Sequence, residues 1–217
     1  MRTPGAPRVP ASHRRPRLPW MMLLAGLAVI TIGLIGWWSA AAATPNRGAV
    51  PAAAPTPPAV PIAGPPAPVA APAAPEQLQL PSLGVDAPVV PVDVEPGGAL
   101  LVPDDPGVLG WWQAGARPGS GHGTVVVDGH IDTARDGPGA FYHLPALRPG
   151  DQVRLRTDRG TQGYVVRAVR SYPKTALPPE LFTTDGPPRL ALVTCGGSFD
   201  QHTRQYADNV VAYAVPG

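Results

Sequence analysis

The sequence predicts an all-β domain with only short helices, a closed or nearly closed barrel, at the end of a chain whose first third is built differently. Three observations predict it. From residue 76 onward the chain is a series of short apolar runs rich in Val, Leu and Tyr, each cut by Gly, Pro or Asp. No long run carries a helical period; only Ala140–Leu147 suggests a short helical turn. Nothing has the strand–helix–strand spacing of a parallel α/β fold.

In chain order, strands are read at 77–80, 88–94, 124–129, 152–157, 163–171, 190–195 and 209–215. QVRLRT (152–157) alternates polar and apolar, the pattern of a half-buried antiparallel strand. TVVVD (124–128) and LALV (190–193) are continuous apolar runs. About 140 residues suffice to bury a core.

Three segments precede this domain. Residues 1–19 are rich in arginine and proline, cannot bury apolar surface, and are predicted to be disordered. WMMLLAGLAVITIGLIGWW (20–38) has no charged residue; as a helix it would span roughly 28 Å, close to a bilayer core. Trp20, Trp37 and Trp38 stand at its ends, where indole rings prefer the interface. Five arginines lie on its N-terminal side, so the head is expected in the cytoplasm and the rest outside. A signal-anchor over 20–43 is the expectation; a signal peptide cleaved among the small residues Ser39–Ala43 is the alternative. Residues 44–75 hold 11 prolines and 11 alanines in 32 positions. Proline fixes φ and removes a donor, so this stretch is read as an irregular, semi-rigid stalk, neither helix nor sheet.

The net charge of +2 is unevenly shared. Residues 1–47 carry six arginines and no acid, while 76–217 hold eleven basic residues against fifteen acids, a net −4. No basic cluster with interleaved aromatics follows residue 47, which excludes a nucleic-acid-binding reading. One cysteine, Cys195, means no internal disulfide.

Cys195 ends the apolar run LALVTC and is followed by Gly196 and Gly197; His130 follows the apolar run TVVVDG. Two reactive groups at strand termini can face one another at a barrel rim. A free thiol has a pKa near 8.5 (about that of the unperturbed group), and a neighbouring imidazolium both lowers it and supplies a general acid for a leaving amine. Acyl transfer also needs a donor for the oxyanion, and Arg204, nine residues after Cys195, is a candidate. Asp128 and Asp132 share the strand parity of His130, so either can orient its ring, although rim acids are more often merely solvated. Cys195 taken alone is as compatible with a buried small hydrophobe as with a nucleophile. His122, in GSGHG, and His143, in FYHL, read as surface or packed histidines, and His202 as a loop residue. No H-x₃-H or C-x₂-C pair anchors a zinc site.

Taken together, LPSLGVDAPVVPV (80–92), VPDDPGVLGWW (102–112), Gly-His-x-Asp (129–132), RPGDQV (148–153), LVTCGGSFD (192–200) and YADNVVAYA (206–214) resemble the sortases, the cysteine transpeptidases of Gram-positive cell surfaces. The likeness is greatest to the actinobacterial class F group and covers essentially all of 76–217. It implies a closed eight-stranded β-barrel, with Cys195 as nucleophile, His130 as general acid/base and Thr194 positioning substrate. The family's essential arginine lies on the last strand or the loop before it. Arg204 is the only arginine after Cys195 and takes that role, although it stands early relative to Asn209-Val-Val. Asp128 departs from the small apolar residue expected before Gly129.

The resemblance also implies the reaction. An LPXTG-like sorting signal of a secreted protein is cleaved between Thr and Gly through a thioacyl-enzyme, and the acyl group passes to an amine, often of a peptidoglycan precursor. No metal and no other cofactor is expected. Localisation follows the anchor: cell membrane, single-pass, catalytic domain extracellular. Two other readings use the same residues, a cysteine peptidase in which water resolves the intermediate and a non-catalytic sortase-like binding module.

Overall fold

A computed structural model describes residues 46–51, 71–95 and 99–217. The basic head predicted at 1–19, the anchor predicted at 20–43 and most of the stalk lie outside the described residues.

Eight strands build the domain. They are β1 (Pro75–Leu80), β2 (Val85–Val92), β3 (Leu109–Trp112), β4 (Thr124–Asp128), β5 (Gln152–Thr157), β6 (Gly160–Pro173), β7 (Arg189–Asp200) and β8 (Gln205–Pro216). Their hydrogen-bonded order is β6-β8-β7-β4-β3-β2-β1-β5, and β5 pairs back onto β6, so the sheet closes. The β7–β4 and β2–β3 pairs are parallel and the other six are antiparallel. Closure leaves none of the eight strands without a neighbour on either side along at least part of its length. The eight-stranded closed barrel that the resemblance implies is therefore present. Among the described residues the only helices are four 3-10 turns, Pro81–Leu83, Leu144–Ala146, Lys174–Ala176 and Pro179–Phe182.

Side-chain alternation explains the runs. In β5, Val153, Leu155 and Thr157 are buried while Gln152, Arg154 and Arg156 are exposed. In β4 and β7 both faces are buried. Val125, Val127, Leu190 and Leu192 fill the barrel interior. Val126, Ala191 and Val193 join a second cluster on the outer face with Val211, Tyr213 and Leu181. A strand covered on both sides has no polar face to show, hence the unbroken apolar runs.

Three departures from the sequence reading have physical causes. β3 falls outside the strands expected from the sequence: LGWW is four residues long and its first three are all buried, so it carries no alternation. It is held by β2 and β4 on its two sides. β7 does not stop at Cys195 but runs on to Asp200 through an irregularity between Gly196 and Phe199, because β8 continues to pair with it. The predicted stalk contributes to the barrel. Arg47–Gly48 pairs antiparallel with Val169 and Ala168 of β6, and Ala73 is buried. Residues 46–50 (NRGAV) are the longest proline-free run of that stretch, so the argument against sheet does not apply to them.

Candidate active site

The parallel ladder between β4 and β7 runs from Thr124↔Arg189 to Asp128↔Val193 and stops there. Beyond it, Gly129 N still donates to Val193 O at 3.1 Å, and the Thr194 hydroxyl donates to Gly129 O at 2.8 Å. These two bonds hold the chain at His130 alongside the chain at Cys195. Side chains alternate, so His130 continues the outer-face series Val126, Asp128, and Cys195 continues Ala191, Val193. The two candidate residues thus stand at adjoining strand ends on the same face of the sheet. Gly129 carries no side chain because a Cβ there would collide with Leu109 Cδ2. Gly197 has φ of 76°, and a Cβ on it would lie 2.6 Å from Asp208 Oδ2.

The half-buried Cys195 lines a groove of about 740 Å³ with Asp132, Lys174, Phe199, Arg204 and Tyr206. Having lost β4 as a neighbour, β7 is open on that side. Half-buried His130 is not among the groove's lining residues. Its Nε2 lies 2.9 Å from the carbonyl oxygen of Pro103, in the segment between β2 and β3. A carbonyl only accepts, so Nε2 carries the proton, and Nδ1 is the ring nitrogen left to exchange one.

Arg204 lies in the turn at the tip of the β7–β8 hairpin, one residue before β8, with φ of 54°. β8 itself contains no arginine. Arg204 is exposed and shares the groove with Cys195. Thr194 is buried and does not line the groove; its hydroxyl is committed to Gly129 O, so it belongs to the wall. The contact made by its side chain here is a structural one, because residue 194 has the inward parity of Leu190 and Leu192.

Neither acid predicted to orient the imidazole hydrogen-bonds to it. Asp132 accepts from the Tyr206 hydroxyl at 2.8 Å. Asp128 is buried, and neither carboxylate oxygen has a hydrogen-bond partner. Burial pushes its pKa up to about 7; the nearby amides of Asp128 and Gly110 pull weakly the other way without well-aligned hydrogen bonds. Of the remaining histidines, His122 sits within 2.9 Å of Thr184 O, and His143 and His202 are exposed. Sequence reasoning missed Pro103 and Tyr206. The only signal for the first was its place in VPDDPGVLGWW, and for the second its place at the head of YADNVVAYA.

Comparison with known proteins agrees with this architecture. A family model described as a sortase domain matches residues 78–217, so the chain belongs to the sortase family. Among solved structures, it is similar to the pilus-related sortase C of Group B Streptococcus, at 14% identity over 66% of this chain and 67% of that one, TM-score 0.51. It is also similar to sortase C-1 from Actinomyces oris, at 16% identity over 65% and 72%, TM-score 0.50. Sortase A from Corynebacterium diphtheriae aligns at 14% identity over 67% of this chain and 61% of that one, TM-score 0.49. A search of curated protein sequences finds no match. At 14% and 16% identity, the likenesses to the two sortases C show the fold alone.

Two predictions follow the wall and the buried acid. Thr194→Val keeps the shape but orphans the buried Gly129 carbonyl; a loss of about 1–3 kcal/mol in denaturant unfolding is expected, with Thr194→Ser close to wild type. For Asp128 the folded pKa lies above the unfolded value of 3.8. The folded chain therefore holds a proton that the unfolded chain releases. Stability from this group is fully present below about pH 4 and is lost as pH rises through about 7. Asp128→Asn is expected to raise Tm by several degrees at about pH 8 and hardly at all at about pH 4, read by thermal melts across pH.

Proposed function

We propose that the chain is a membrane-anchored cysteine transpeptidase that cleaves an LPXTG-like sorting signal and passes the acyl group to an amine acceptor at the cell wall. The observation that supports this reading is the Thr194–Gly129 hydrogen bond, which ties the residue before Cys195 to the residue before His130. The finer likeness to class F sortases rests on the sequence motifs quoted above. The anchor is segment 20–38, whose uncharged length and flanking tryptophans suit a bilayer and leave the barrel outside the cell.

In the first half-reaction Cys195 Sγ, as thiolate, attacks the carbonyl carbon of the Thr–Gly amide. The tetrahedral oxyanion is stabilised by the Arg204 guanidinium. Collapse breaks the C–N bond, and His130 gives the proton from Nδ1 to the leaving amine. The Pro103 carbonyl fixes the tautomer by occupying Nε2–H. In the second half an amine attacks the thioester, its proton passes to His130, and Cys195 leaves as thiolate. An arginine at a hairpin tip reaches the groove from beyond the last strand.

Mass spectrometry of the purified chain with an LPXTG peptide, with and without a glycine-based amine, tests the proposal. A thioacyl adduct on Cys195 and a ligated product only with amine are expected. Product by hydrolysis alone, unchanged by amine, would mean a peptidase, and turnover by Cys195→Ala would end the nucleophile assignment. Arg204→Ala is expected to lower kcat by about 10²–10³-fold with little change in KM, in initial-rate assays.

A further inference from the structure

Tyr206 joins two parts of the groove that are far apart in sequence. It is the second residue of β8, and its hydroxyl donates to Asp132 Oδ2 at 2.8 Å across 74 positions. Asp132 begins the two-residue strand Asp132–Thr133, two residues after His130. The Phe199 ring packs edge-on against the Tyr206 ring, centroids 5.0 Å apart, and steadies the phenol. Burial, then the hydrogen bond and charge of Asp132, push the Tyr206 pKa up to about 12, with the charges of Tyr142 and Cys195 adding to the rise. The hydroxyl is therefore a proton donor throughout the physiological range, and the sulfur lies within its electrostatic reach.

Asp132 is the only carboxylate lining this groove among the described residues. It shares the groove with Cys195, Lys174 and Arg204, while Tyr142 and His130 stand close by. Lys174 and Arg204 favour an anion on sulfur, and the Asp132 charge opposes it.

We propose that Tyr206 is a positioning residue for acyl transfer: its hydroxyl clasps the Asp132 carboxylate, holding that charge away from the Cys195 thiolate and tying the segment after His130 to the Cys195 hairpin. The proposal rests on the reading of Cys195 as nucleophile. It differs from a packing role in one respect. A tyrosine that only fills space can be lost without any electrostatic consequence, whereas loss of this hydroxyl frees a negative charge beside the sulfur.

The test needs no peptide substrate. The full chain, wild type and the variants Tyr206→Phe, Asp132→Asn and the double variant, is alkylated with iodoacetamide, an uncharged reagent, over a range of pH. Tyr206→Phe is expected to slow alkylation of Cys195 near neutral pH about threefold and to move the profile to higher pH. Adding Asp132→Asn is expected to restore the wild-type profile, since the freed charge is gone. Asp132→Asn alone is expected to react at least as fast as wild type, and it decides the matter if Tyr206→Phe does not fold. An unchanged profile in Tyr206→Phe, a double variant as slow as Tyr206→Phe, or a slower Asp132→Asn would each overturn the proposal. Failure of the sorting-signal reading shows separately, as a wild-type chain that alkylates normally but forms no thioacyl adduct with peptide.

Discussion

Two hydrogen bonds past the end of the β4–β7 ladder, from Gly129 N to the Val193 carbonyl and from the buried Thr194 hydroxyl to the Gly129 carbonyl, hold the candidate site together. The ladder between β4 and β7 has ended one residue pair earlier, at Asp128↔Val193. Past that point the two strands have different destinations. β7 runs on into its hairpin with β8, and the chain after β4 turns into the short strand Asp132–Thr133. Divergence opens the sheet and exposes Cys195 to the groove. Without a tie it would also let His130 drift from the thiol. A hydroxyl at 194 supplies the tie at the one position where the inward parity of β7 faces a carbonyl that the ladder leaves unpaired. Gly129 lets the strands come close because Leu109 and Phe141 occupy the space a side chain would need.

Charge around this junction is arranged in two layers. Deep in the outer-face cluster, Asp128 stands among Val126, Val193 and the backbone of Gly110, with no partner for its carboxylate. Burial raises its pKa so that it takes a proton near neutrality and spares the core an isolated charge. At the surface the groove holds two cations, Lys174 and Arg204, and one acid, Asp132, which is already engaged by Tyr206. An anion forming on sulfur therefore meets a field with a positive balance. The Pro103 carbonyl adds a directional constraint by occupying one imidazole nitrogen, a role that backbone can fill as well as a carboxylate.

Much of the barrel was legible because closed sheets impose simple patterns. QVRLRT alternates since one face is wet, and TVVVD and LALV do not since both faces are dry. LGWW escaped because four residues are too few to show a period, and its pairing comes from β2 and β4 rather than from its own composition. NRGAV escaped because it was read with its proline-rich surroundings, although its own residues can pair. The candidate nucleophile and imidazole were legible as reactive residues after apolar runs. The partners of the two acids were not. Asp128 and Asp132 have the parity of His130, yet one is buried without a partner and the other is bound by a tyrosine 74 positions away.

The sequence alone therefore determined the strand-rich class and offered Cys195 and His130 as candidates, since these depend on local residue order and alternation. Only the tertiary structure decided what each polar group near them does. Thr194 became part of the wall, Pro103 became the partner of His130, and Arg204 came to a hairpin tip one residue short of β8. The reason is physical: a side chain's hydrogen-bond partner is set by which strands the closed ring brings side by side. That pairing joins residues tens of positions apart, and no local pattern encodes it.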